Sequence, residues 1–348
     1  MIYVVTGGAG FIGSSIVEEL LKRGETVRVV DNFSTGRREN LAPFLKDIEL
    51  IEGDIRSLEV LRSAMSGSSF RSSSTSTLTS TYVLHQAALP SVPRSVQDPV
   101  TTHEVGATGT LNVLIAARDC GVKRVVYASS SSVYGDSVEL PKHEGMMPNP
   151  LSPYAVSKLA GEHYCRVFSR LYGLETVALR YFNVFGPRQN PNSQYAAVIP
   201  KFIAAVREGR KPVVYGDGEQ SRDFTPVANV VAANLAACEV PLAAQVKAKA
   251  EAKAGEETPL SISTLASTSP FLLCNVAVGE RYSLNFLVSE ICRIVGRKVE
   301  PVYDKPRPGD VKHSLASVDV LRDRLGLASP QPFQDGLEHL IRGTRAKD

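Results

Sequence analysis

The first twenty residues, MIYVVTGGAGFIGSSIVEEL, constrain this chain more than any other stretch. Ile2–Thr6 is a largely β-branched apolar run suited to a buried strand, and residues 11–23 carry apolar side chains at helical spacing. Gly7, Gly10 and Gly13 fill the connection between the two. A strand that passes straight into a helix makes the next strand of the sheet a parallel one. Gly7 permits the tight turn, Gly10 lets a ligand approach the backbone, and Gly13 lets helix pack on strand. The free amides at the helix start, with the helix dipole behind them, then face whatever anion fills the loop.

The alternation continues. ETVRVVDNF ends a second strand at Asp31, IELIEGDI (48–55) is a third closing on Asp54, and YVLHQAAL (82–89) is a fourth. A long helix near 100–119 follows, then KRVVYASSS (123–131). This pattern predicts an α/β chain with a doubly wound parallel sheet covered on both faces. After about residue 175 the alternation loosens, which predicts a smaller C-terminal α/β domain. The expected division is 1–180 and 181–348, with some later segments returning to the sheet. Two stretches rich in small and polar residues, 66–81 and 244–269, lack the apolar content to offset their ordering entropy and are expected as surface or disordered insertions. The first enters the fourth strand at its N-terminal end. Ligands of such sheets sit at the carboxyl ends, so the site should be left intact.

Asp31 lies 18 residues after Gly13 at a predicted strand end. A carboxylate there accepts hydrogen bonds from ribose hydroxyls and repels a 2′-phosphate, which favours NAD over NADP. Arg37 and Arg38 nearby would suit the phosphate instead. The expected cofactor residues are Gly7, Gly10, Phe11, Ile12, Gly13, Asp31, Asn32, Asp54, Ile55, Ala87 and Ala88, with Asp54 and Ile55 flanking the adenine. Further on, YAVSK places Tyr154 and Lys158 four apart on one helix face. A free tyrosine titrates near pH ~10. A lysine ammonium and the positive nicotinamide ring beside it would lower that value toward the range of a general base. SSSSVYG (129–135), at a predicted strand end, offers hydroxyls to bridge a substrate alcohol to the tyrosine. His85 reads as a satisfied structural histidine rather than an acid or base.

Glycine loop, Asp31, strand-end serines and Tyr-Lys helix occur in that order, and with them the sequence resembles the extended short-chain dehydrogenase/reductases. RYFNVFGPRQNPNSQYAAVIPKF, GDGEQSRDF and RPGDVKHSLASVD narrow the likeness to the nucleotide-sugar 4-epimerases. The resemblance covers nearly the whole chain apart from the two insertions, and implies a Rossmann-type fold. It makes Ser130 the catalytic hydroxyl beside Tyr154 and Lys158. It also implies a UDP-sugar held by Ser131, Ser132, Asn183, Val198, Arg222, Arg307, Asp310 and Ser314. Arg222 and Arg307 would pair with the diphosphate and Asp310 with the uridine ribose; planar guanidiniums suit such oxygens. The implied reaction passes the sugar's 4-hydroxyl proton to Tyr154 through Ser130 while C4 is oxidised by NAD. The 4-keto sugar then turns over and is reduced on its opposite face.

Related dehydratases carry an Asp-Glu pair after the catalytic hydroxyl, and decarboxylating relatives a Glu. Here Ser131, Ser132 and Val133 follow, which leaves epimerisation. The position five after the GD glycine borders the sugar's C2 substituent in the epimerases. Ser314 is small, so N-acetylated sugars should enter beside UDP-glucose and UDP-galactose. Two residues depart from the family pattern: Gly106 replaces an Asn, and Ala228 an acidic residue after Arg-Asp-Phe. UDP-glucuronate 4-epimerase, a non-catalytic NAD-binding regulator and an NADPH-releasing reductase are the other readings; Asp31 opposes the last. The family implies homodimers joined through helices near 104–119 and 154–172.

Composition sets the remaining limits. A net charge of +3 over 348 residues, with no basic run among aromatics, gives no case for nucleic acid. No apolar run approaches the roughly 20 residues that span a bilayer. Five cysteines without CxxC spacing argue against disulfides and a metal site, and for a reducing, cytoplasmic setting. With the first strand at residue 2, no leader peptide is expected.

Overall fold

Ile2–Thr6 forms β1 of a seven-stranded sheet in the computed structural model, which describes residues 1–66, 80–189, 198–242, 270–306, 312–328 and 330–343. The other strands are β2 (Thr26–Asp31), β3 (Ile48–Glu52), β4 (Thr81–His85), β5 (Arg124–Ser130), β6 (Glu175–Tyr181) and β7 (Phe271–Val276). Their spatial order is β7-β6-β5-β4-β1-β2-β3, and every pairing from β5 through β4, β1 and β2 to β3 is parallel. Strand order reverses at β1, which lies between β2 and β4. Thr6 pairs with Val30 on one side and His85 on the other, so the three strands end nearly flush. Such a switch point opens a crevice at the strands' carboxyl ends.

Local chemistry sets the bounds of the helix that matters most, Pro153–Tyr172. The Ser152 side chain accepts from Ala155 N at 3.2 Å, Pro153 opens the first turn, and Gly173 closes the helix at φ 68°. Ala155, Lys158, Gly161, Glu162, Cys165 and Phe168 recur at intervals of three or four as its buried face. With Val4, Val83, Leu114, Val125 and Tyr127, Cys165 and Phe168 belong to one apolar core, each fully buried side chain of this size stabilising by roughly 1.5–3 kcal/mol.

Two elements differ from the sequence reading. The third strand stops at Glu52: Gly53 N makes the last bond of its ladder, to Asp31 O at 3.1 Å, and Asp54 lies in the loop beyond. The single helix expected near 100–119 is two, Pro99–His103 and Gly109–Asp119, joined by a π-helical turn at Glu104–Thr108.

The chain forms two compact units. The first comprises Met1–Val133, Ser152–Arg180 and the described part of Asn234–Cys274; the second takes Tyr134–Leu151, Tyr181–Ala233 and the described residues from Asn275 onward. The second has its own core around Phe185, Phe202, Phe224, Leu287 and Phe333. Its strands are short pairs: Val184–Phe185 with Thr225–Pro226, Ser221–Arg222 with Tyr282–Ser283, and Val213–Tyr215 with Val302–Asp304. Of the two expected insertions, 67–79 and 244–269 lie outside the described residues. Among the described residues no helix is long and apolar enough to cross a membrane, and no His/Cys/Asp/Glu group could hold a metal ion.

Candidate active site

The loop after β1 is built from backbone packed on backbone. Gly7 adopts φ 71° and donates its N–H to Val30 O at 2.8 Å. A Cβ on Gly7 would stand 2.7 Å from Ala87 Cα, and one on Gly13 2.1 Å from Gly7 O. Neither neighbour is a side chain that could yield, so only glycine fits. The Phe11–Lys22 helix begins at Gly10 without a side-chain cap or an acidic residue in its first turn. The amides of Phe11, Ile12 and Gly13 therefore lack intrahelical acceptors and are the donors a diphosphate would take.

Asp31, 7% exposed, ends β2 beside this loop. Its Oδ2 accepts from Ala9 N and its Oδ1 from Phe33 N, both at 2.8 Å. Phe33 holds a left-handed φ of 55° while donating that bond. Burial pushes the Asp31 carboxyl up, and the two amides draw it back down. An ionised carboxylate has about four acceptor positions, so two remain for a ribose diol. Gly36 leaves them accessible, since a Cβ there would come within 2.8 Å of Oδ1. Arg38 pairs with Glu52 at 2.6 Å and stacks 3.9 Å over the Phe33 ring, while Arg37 pairs with Glu39 at 3.4 Å. Both arginines are thus engaged by carboxylates. These residues fit a dinucleotide without a 2′-phosphate.

Asp54 and Ile55 lie just after β3, in the loop that follows Glu52. Asp54 Oδ1 accepts from Arg56 N and Nε, and Oδ2 from Arg56 Nη2 and Asn32 Nδ2, all within 2.8–3.0 Å. All four acceptor positions are in use, and the Arg56 bonds hold the carboxyl below its ordinary range. An adenine amino group would have to displace one of them. Ile55 is 5% exposed and packs in the core, its Cδ1 against Gly109.

Ala87 and Ala88 follow β4, and Ala87 N bonds Thr6 Oγ1 at 3.4 Å. His85 is 1% exposed, with Nδ1 2.7 Å from Thr6 Oγ1 and Nε2 3.0 Å from Thr110 Oγ1. Thr110 spends its one hydroxyl proton on Gly106 O at 2.7 Å, so it must accept from His85 Nε2–H. Thr6 then donates to Nδ1. Burial, aided by the Lys158 charge, lowers the imidazole to about 3, so the ring is neutral with every nitrogen satisfied. That is a structural histidine.

Ser130 is the last residue of β5, and Tyr154 and Lys158 occupy the first turns of the Pro153–Tyr172 helix. The Ser130 hydroxyl stands near enough to the Tyr154 phenol to draw its pKa down. Ser132 N donates to Ser130 Oγ at 3.2 Å. Lys158, 4% exposed, points its Nζ at Ala128 O, 2.7 Å away, and lies 5.8 Å from the Tyr154 ring centre. Burial lowers Lys158 to about 8, against the pull of Glu162, so it stays mostly charged at neutral pH. Burial pushes the Tyr154 phenol up and outweighs the Ser130 contact; the lowering expected from the sequence calls for a nicotinamide charge as well as Lys158.

The sequence reading missed the support behind this triad. Glu162, one helical turn past Lys158, accepts Ser129 Oγ at 2.5 Å and a two-pronged Arg180 contact at 2.7 and 2.8 Å. Both charged groups are buried, and together they lock β5, β6 and the helix. The side chain of Ser132 has a buried hydroxyl oxygen with no partner among the described residues, a group that a ligand hydroxyl would satisfy. Ser131 opens the short 3₁₀ turn Ser131–Tyr134.

In the second unit, Ser314 N donates to Ser221 O at 3.0 Å, and the Arg222 Nη1 group donates to Ser221 O and Lys312 O. The structure thereby brings Arg222 and Ser314 together. Asn183, at φ 30°, donates from Nδ2 to Asp223 O at 3.1 Å. Val198 opens the Val198–Arg207 helix and packs on the second core. Arg307 and Asp310 lie outside the described residues.

Residues 3–248 match the NAD dependent epimerase/dehydratase family. A UDP-glucose 4-epimerase from Mycolicibacterium smegmatis is 33% identical over 347 residues, covering 99% of this chain and 98% of that protein. Among solved structures, a UDP-N-acetylglucosamine 4-epimerase from Methanobrevibacter ruminantium, in complex with UDP-N-acetylmuramic acid, is similar at TM-score 0.83 and 36% identity. It covers 99% of this chain and 98% of its own. A Thermus thermophilus UDP-glucose 4-epimerase in complex with NAD gives 0.78 and 35%, with both chains covered in full. A glycine loop closed by backbone, a ribose-ready Asp31 and a Ser-Tyr-Lys set at the end of β5, matched over most of the chain, make this protein a member of the NAD dependent epimerase/dehydratase family.

Proposed function

We propose that this protein is an NAD-dependent UDP-hexose 4-epimerase that interconverts UDP-glucose with UDP-galactose and also accepts their N-acetylated counterparts. The observation that carries the reading is the Ser130–Tyr154–Lys158 arrangement, with no acidic group at 131–133 to divert the reaction to elimination or decarboxylation. NAD, when bound, supplies reversible oxidation at the sugar's C4.

The chain's own groups do the rest. Tyr154 takes the 4-hydroxyl proton, with Ser130 as the bridging hydroxyl, and returns it in the reverse half. Lys158 holds its charge near the phenol and favours the ionised form as that proton moves. Burial leaves Tyr154 raised, so Lys158 would need a second positive charge beside the phenol, such as a bound nicotinamide would supply, to bring it into working range. Ser132 supplies an unmet hydroxyl for the sugar. Arg222, Arg307, Asn183, Val198 and Asp310 are assigned to the nucleotide diphosphate end, and the small Ser314 to the C2 substituent.

The protein is further assigned as a cytoplasmic homodimer. Five free thiols support the compartment. Val156, Val167 and Leu171, exposed on the Pro153–Tyr172 helix, support a partner on that face.

The test is incubation of purified protein with UDP-galactose, and separately with UDP-N-acetylgalactosamine, without added NAD. Conversion of both supports the full reading; conversion of the first alone removes the size argument. If UDP-glucuronate alone reacts, the protein is a uronate epimerase, as the shared SSSSVYG run would allow. If nothing reacts even with NAD added, the catalytic reading fails.

A further inference from the structure

Gly106 occupies the middle of the π-helical turn Glu104–Thr108 and is buried. Helices rarely widen to this spacing, and where they do the turn is often functional. Its missing side chain would point at the catalytic helix. A Cβ on Gly106 would lie 2.5 Å from Ser157 Oγ and 2.8 Å from Ser157 Cβ. Rotating Ser157 relieves the first contact but not the second, because carbon atoms pack at about 3.5–4.0 Å. The helix itself would have to retreat by close to an ångström.

Ser157 sits between the two residues whose placement matters. Its Oγ donates to Tyr154 O at 2.8 Å, and it precedes Lys158. Tyr154 and Lys158 in turn reach toward β5, to Ser130 and to Ala128 O. From the other side, Gly106 O is held by Thr110, which is held by His85, next to the glycine loop at Thr6. One face of the π-turn is therefore fixed to the cofactor strand, and the other sets how closely the catalytic helix approaches β5.

We propose that Gly106 is a positioning residue: its lack of a side chain lets the catalytic helix dock close enough for Lys158 to tune Tyr154. This rests on the Ser-Tyr-Lys reading above. The family pattern has Asn at this position, so restoring that consensus should harm this chain rather than repair it.

The test is Gly106→Ala in the full-length protein. A displacement of about 1 Å at reacting groups costs up to roughly 10²-fold, so kcat should fall by about 10- to 100-fold with KM for the UDP-sugar little changed. The rising limb of kcat against pH should move to higher pH. Ultraviolet titration of the Tyr154 phenol, read as the difference from Tyr154→Phe, should move in the same direction without any turnover. Adding Ser157→Gly removes both facing atoms and should restore both profiles. Unchanged kcat and an unchanged titration in Gly106→Ala would overturn the proposal. So would a variant that loses activity through lower thermal stability while its tyrosine titrates as before. If Tyr154→Phe itself stays active, the catalytic reading fails first, and the two failures are told apart.

Discussion

The two units hold their site residues by different means. In the first, Asp31, Ser130 and the glycine loop lie at the ends of β2, β5 and β1 of a seven-stranded sheet, and Asp31 is held by Ala9 N, Phe33 N and Gly53 N. In the second, Arg222 lies in a two-residue pairing, Ser314 is bonded to it through Ser221, and the side chain of Asp223 ties the neighbouring turns together. That carboxylate, fully buried, accepts Val278 N, Gly279 N and Ala316 N at 3.1–3.2 Å. The first arrangement is redundant, spread over a wide sheet, so a lost contact there is felt mainly in chemistry. The second leans more on one buried carboxylate.

The largest effect expected is on the redundant side. Tyr154→Phe removes the proton acceptor and leaves the sheet untouched, so kcat should fall by roughly 10²–10⁴. Thermal stability and resident NAD should be close to wild type. A Tyr154→Phe protein that unfolds early would show that the first unit is no more robust than the second.

Asp223→Asn replaces the buried carboxylate. The amide keeps one acceptor oxygen and sets an NH₂ against backbone donors, leaving at least one buried N–H unmet at about 1–3 kcal/mol. Burial also raises Asp223 to about 7. An acid raised on folding contributes stability that is present below its unfolded value and lost as pH rises through the folded one. The neutral variant loses that dependence, so its deficit should be largest near pH 4 and shrink above pH 7. Denaturation at a series of pH values reads this directly. A deficit that grows with pH would mean the carboxylate is ionised throughout, with three amides outweighing burial.

Ser314→Tyr probes the same unit through selectivity. Ser314 is fixed by its backbone to Ser221, so a large side chain changes the space rather than the fold. Overfilling costs typically 1–3 kcal/mol, so kcat/KM for UDP-N-acetylglucosamine should drop about tenfold or more relative to UDP-glucose. Equal losses on both sugars would place Ser314 away from the C2 substituent.

How much of this was legible beforehand follows the same divide. The glycine loop, Asp31 and the Tyr154–Lys158 spacing are short-range signals: a turn, a strand end, an i,i+4 pair. Each stands where the sequence reading put it. The π-turn at Glu104–Thr108 was not legible, because one extra residue in a helix barely disturbs apolar periodicity over twenty. Asp223 stood in view within GDGEQSRDF, yet its three amide partners come from positions 278, 279 and 316, which no local pattern connects. Asp54 shows the opposite case: its partner Arg56 is only two residues away, a pairing within reach of a local reading that the motif-level reading passed over. The Glu162–Arg180 pair shows a third limit: amphipathic patterning assigns charges to the surface, and a buried pair appears only once β6 is laid beside the helix.

The smallest effect concerns Ala228, and it separates family pattern from local need. Ala228 is exposed in the first turn of the Val227–Glu239 helix, which has no acidic residue there. An acid at that position would face solvent and interact with the helix dipole for about 0.3–1 kcal/mol, screened by salt. Ala228→Asp should therefore raise the melting temperature slightly at low ionic strength, with the gain fading as salt is added. Activity should not change, since Ala228 is exposed. A several-fold gain in kcat would show that the acidic residue does more than cap a helix. In that case the second unit would have lost a working group where the first, at Gly106, has absorbed its own departure into the packing.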